Sequence, residues 1–108
     1  MSSDWTHWFD FLKQPLPKLM TDSRFYGQAA HFLGGYSVIL TVTLLSHSVL
    51  AVIIAWLLFA ALTATKEFYY DTHYEIPLQT KVGAAIDFIS YQVGALLAVI
   101  ISMLYLFL

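Results

Sequence analysis

Three long apolar runs dominate the hydropathy pattern of this chain, at residues 27–45, 49–70 and 83–108. Only Ser46-His47-Ser48 separates the first two, while the second turns polar at Lys66 and the stretch KEFYYDTHYEIPLQTK leads from its end to the third. A helix rises about 1.5 Å per residue and needs about 20 residues to cross a bilayer core. Each run, with its flanks, comes close to that length. Two helices joined by a tripeptide have to be antiparallel neighbours. The pattern therefore predicts an all-α membrane protein with three transmembrane helices.

A different periodicity marks residues 1–20. Trp5, Trp8, Phe9 and Leu12 recur at helical spacing on one face, with His7, Asp10, Lys13 and Gln14 opposite. Aromatic side chains of this kind suit the headgroup boundary, where the ring is apolar and a polar tip stays wet. A short amphipathic interfacial helix is expected here, anchored by Trp5, Trp8 and Phe9. Pro15 and Pro17 are expected to end it. The chain thus divides into an interfacial segment, 1–20, and a three-span bundle, 27–108.

Composition strengthens the membrane reading. Hydrophobic residues are 59% of the 108 and charged residues only 11%, more apolar surface than a soluble domain of this size can bury. A net charge of −2 with five Lys and Arg excludes a nucleic-acid partner, which needs a basic patch. The lack of cysteine excludes disulfides, thiolate catalysis and Cys-ligated metals. The first 20 residues show no basic start, apolar run and small-residue cleavage site, so attachment is expected from the spans themselves. Lys13, Lys18, Arg24, Lys66 and Lys81 all fall on one side of a three-span arrangement. Positive-inside then predicts a cytoplasmic N-terminus and an external C-terminus, in an inner or plasma membrane.

That topology gathers the chemistry at one end of the bundle. His31, Lys66, Glu67, Asp71 and Asp87 should share one leaflet or its headgroup layer. Ionisable groups inside spans are costly and usually face a bundle interior or a polar cavity. Each also has an ordinary structural reading. Lys66, Glu67 and Asp71 fit the wet end of a helix, Asp87 suits a helix N-terminus through the macrodipole, and His31 suits a hydrogen-bonded packing position. Nitrogen and carboxylate donors are suited to divalent ions, but the paired Glu-x-x-His motifs of helical di-iron proteins are missing. No metal and no cofactor are expected. With no Gly-x-Ser-x-Gly, P-loop or His-Glu-x-x-His, no catalytic residue is assigned. Small residues at Gly34, Gly35 and Gly94 mark expected helix-packing faces.

The order His31-Phe32 near one span's start, Lys66-Glu67 at the next span's end, and Asp87 ahead of Gly94 resembles the VanZ-like membrane proteins. The resemblance covers about residues 28–98, with Tyr70-Asp71 and Tyr91-Gln92 standing where that family has other residues. It implies a small bundle with a polar pocket facing the cytoplasmic leaflet, in a group linked to the cell envelope and glycopeptide tolerance. Two functions are therefore expected. The first is an accessory or structural subunit, with membrane lipid and other membrane subunits, or further copies of itself, as partners. The alternative is an envelope factor that binds or acts on an amphiphile or lipid headgroup through Glu67, Asp87 and His31.

Overall fold

The computed structural model describes residues 9–20, 22–70, 73 and 81–108. Their elements are a 3-10 turn, Phe9–Lys13, then α1, Leu16–Leu19, α2, Ser23–Ser46, and α3, Val49–Thr65. A π turn, Lys66–Tyr70, prolongs α3, and α4 is Lys81–Phe107. Three helices are long and apolar enough to cross a membrane: Ser23–Ser46, Val49–Tyr70 and Val82–Phe107. The chain is an all-α, multi-pass membrane protein.

The N-terminal segment departs from the expected single amphipathic helix. Trp5 and Trp8 lie outside the described residues, and Phe9 opens the 3-10 turn. The 3-10 turn stops at Lys13, ahead of Pro15, and the prolines also start the next element: Pro15 caps α1 and Pro17 sits in its first turn. A proline costs no hydrogen bond there, because the first N–H groups of a helix have no partner within it. Gln14, which precedes Pro15, is correspondingly biased away from helical geometry, and the chain breaks between the two elements.

Caps explain where the spans begin and turn. Asp22 caps α2, accepting from the Arg24 backbone N–H at 2.8 Å. The Arg24 guanidinium and then Gln14 also donate to its carboxylate, and these bonds hold the Asp22 carboxyl well below the usual range. The span therefore starts at Ser23, ahead of the apolar run. At the other end His47 takes the left-handed conformation (φ 49°) and its N–H returns to the Thr43 carbonyl. Ser48 then caps α3 by accepting from Ala51 N–H. The tripeptide between the spans is thus one helix stop and one helix start.

The main packing surface joins α2 to α4. Gln28 bonds Asp87 and Thr43 bonds Ser102, each pair separated by 59 residues. A constant offset means that the two helices run parallel and in register, as the first and third of three spans must. The buried positions of α2 are Gly35, Ile39 and Thr43, four apart on one ridge. Facing them on α4 are the buried Gly94, Ala95, Ala98 and Ser102. Small residues let helix backbones approach closely in a bilayer. Here they do so to the limit: a Cβ on Gly35 would land on the Tyr91 carbonyl oxygen, and one on Gly94 on the Phe32 carbonyl oxygen. Gly34 is less confined, with the Tyr91 ring 3.4 Å from its absent Cβ.

Away from that seam the bundle turns apolar side chains outward. Leu57, Leu58 and Leu62 on α3 are 60–70% exposed, as expected where lipid is the solvent. The inward line of α3 is Val52, Trp56, Phe59, Thr63 and Glu67, and only the last of these carries a charge. Thr63 ties α3 to α4 by accepting from Gln92 Nε2 at 3.1 Å.

Gly35→Ala and Gly94→Ala should each lower the unfolding free energy by about 1–3 kcal/mol, the usual cost of overpacking. Gly27→Ala, where nothing lies within 4 Å of an added methyl, should be neutral or stabilising by up to about 1 kcal/mol. Unfolding in mixed micelles followed by circular dichroism measures the series.

Candidate functional site

One ionisable residue from each span meets at the end of the bundle where α2 and α4 begin. His31 lies eight residues into α2, about 12 Å along its axis, and Asp87 six residues into α4, about 9 Å. Glu67 comes from the π turn that prolongs α3. Such turns are uncommon and cluster at functional sites.

His31 Nε2 stands 3.4 Å from Asp87 Oδ2 and 3.9 Å from Glu67 Oε1. The Glu67 side chain is fully buried, Asp87 is 12% exposed and His31 22%. Lys66 Nζ reaches the same Glu67 oxygen at 3.2 Å, with its own side chain half exposed. Two carboxylates thus share one imidazole and one ammonium in a low-dielectric setting, where a charge is tolerated only with partners in place.

The centre is held in position from several directions. Gln28 Nε2 donates to Asp87 Oδ1 at 2.6 Å, and the Ser90 hydroxyl donates to Gln28 Oε1. Fixing Oδ1 in this way turns Oδ2 toward His31. The imidazole lies flat on the Tyr91 ring, with centroids 4.4 Å apart and planes within 6°. Phe59 meets the same ring edge-on at 5.7 Å. Tyr91 is also the residue whose backbone crowds Gly35, so the stack depends on the tight helix crossing.

Four of the five expected polar residues come together: His31, Lys66, Glu67 and Asp87. Asp71 lies outside the described residues. Gln28 and Ser90 were not anticipated, although a signal was available. Gln28 is three residues before His31 and Ser90 three after Asp87, so each shares a helix face with a residue of the centre and bonds across to the opposite helix. His47 has a structural role as the left-handed cap, and His73 bonds the Tyr69 carbonyl one turn back.

No protein-family model, curated protein or solved structure matches this chain. What the centre can do is therefore read from its own chemistry. An imidazole flanked by two carboxylates can exchange a proton or share a cation, and the His31 side chain is not wholly buried.

His31 and Asp87 should prove energetically coupled. In a double-mutant cycle of His31→Ala and Asp87→Asn, the coupling expected for residues in one network is about 0.5–3 kcal/mol. Thermal unfolding of the four proteins in detergent measures it, and a coupling near zero would mean that the two groups do not interact.

Proposed function

We propose that this protein binds the polar headgroup of an amphiphile at the His31–Glu67–Asp87 centre, within a bundle otherwise adapted to lipid. The observation that carries this reading is the convergence of one ionisable side chain from every span on a single point. Residues serving only as wet helix ends would splay toward water independently. These three turn inward, and Glu67 is wholly buried. An acid–base pair held in an apolar wall provides both a donor and an acceptor for a headgroup whose tails stay among the outward leucines.

The VanZ-like resemblance supports the same site, because the residues that carry it include His31, Glu67, Asp87 and Gly94. Charge distribution supports the cytoplasmic leaflet: Lys13 and Lys18 precede the first span, Arg24 lies in its first turn, and Lys66 and Lys81 flank the loop after the second. Under the positive-inside rule the N-terminus and the centre both belong to the cytoplasmic side of an inner or plasma membrane.

The accessory-subunit reading rests on a different observation, the little-buried outer face of α3 with Leu57, Leu58 and Leu62. Lipid covers such a face as well as a partner does. The inward-facing centre has no comparable explanation by lipid alone, so the headgroup reading is preferred.

Gentle detergent extraction followed by native mass spectrometry tests the choice. The wild type should carry a defined lipid-mass adduct, and Asp87→Asn should lose most of it while remaining folded. Stoichiometric protein partners with no bound amphiphile would overturn the proposal in favour of an accessory subunit.

A further inference from the structure

The same centre has the donor set of a metal site. We infer that His31 Nε2, Glu67 Oε1 and Asp87 Oδ2 bind one divalent transition ion of the zinc or manganese class. This goes beyond the headgroup reading and stands on the donors alone, whether or not an amphiphile is present.

Geometry is the first support. Metal–donor bonds of about 2.0–2.2 Å place tetrahedral donors about 3.3–3.6 Å apart. Here the two separations from the imidazole nitrogen are 3.4 and 3.9 Å, and the three side chains present ligand atoms all within 4.8 Å of one another. Side-chain movements of about 1 Å would close the widest of these separations to a tetrahedral one at such bond lengths. One imidazole nitrogen and two carboxylate oxygens suit zinc, manganese or iron(II). Calcium, which takes six to eight oxygens, is poorly matched.

The surroundings are the second support. Ligating side chains are usually oriented by outer partners. Gln28, backed by Ser90, fixes Asp87 with Oδ2 turned inward, and the Tyr91 ring fixes the plane of His31. Charge is the third. Two carboxylates of low exposure stand on one imidazole nitrogen, a concentration of acceptor oxygens that receives a divalent ion favourably. With three protein donors, a tetrahedral ion keeps a fourth position. A phosphate or hydroxyl oxygen of a headgroup is the kind of donor that position would take.

Lys66 makes the inference open to a distinctive test. Its ammonium sits on the Glu67 oxygen that the ion needs, so the lysine competes with the metal. The full chain, purified in detergent and stripped with chelator, is titrated with Zn²⁺ and with Mn²⁺ by calorimetry and thermal unfolding. One equivalent should bind and raise the unfolding temperature. His31→Ala and Asp87→Asn should abolish binding, Gln28→Leu should weaken it about 10–100-fold, and Lys66→Met should tighten it.

Gln28→Leu and Lys66→Met lie outside the donor set, so they report on the metal even where a donor variant fails to fold. No saturable binding, or binding unchanged by all four substitutions, overturns the site and leaves an ion-paired histidine. Metal binding without a copurified amphiphile overturns the headgroup reading and leaves this inference standing. A retained amphiphile with no metal does the reverse.

Discussion

The contact between α2 and α4 at Gly35 and Gly94 sets the distance on which the rest of the structure depends. At each glycine the opposing backbone carbonyl occupies the space that a Cβ would need. Apolar side chains gain nothing from leaving lipid for one another, so packing and interhelical hydrogen bonds have to hold such helices together. Both are supplied along one seam. The small residues give close backbone contact, and Thr43 with Ser102, both fully buried, bond across it at 2.6 Å.

That same approach builds the polar centre. Phe32 and Tyr91, whose carbonyls crowd the glycines, are the sequence neighbours of His31 and of the Ser90 hydroxyl. If the helices stood farther apart, the His31–Tyr91 stack and the Gln28–Asp87 bond could not both form. The third span contributes differently. α3 packs more lightly, keeps its leucines toward lipid, and delivers Glu67 from its final, widened turn. Structure and chemistry are thus divided between a rigid pair and a looser helix that completes the site.

The location of the centre near one end of the bundle also has an electrostatic reason. Charges are least costly where solvent or headgroups are near, and long basic side chains can reach that layer. Lys66 does so while bonded to Glu67. The same buried Glu67 oxygen meets the Lys66 ammonium and the His31 imidazole at once.

The sequence by itself determined the number and approximate limits of the spans. An uninterrupted apolar run in lipid must satisfy its backbone internally, and only a helix of sufficient length does so. It also determined which polar residues share one end, since alternating spans fix that by parity; His31, Lys66, Glu67 and Asp87 followed. Small residues marked Gly34, Gly35 and Gly94 as packing positions, but which helix each one meets was beyond its reach. A spanning helix is apolar on nearly every side, so hydropathy does not separate the face toward a neighbour from the face toward lipid. The tertiary structure alone decided that α2 pairs in register with α4, and that of the three expected glycines Gly35 and Gly94 meet opposing backbone while Gly34 is less confined. It also decided that Gln28 and Ser90 support Asp87 and that prolines 15 and 17 open a helix. Three donors from three spans have no common spacing along the chain. Only the fold could bring them within one coordination distance.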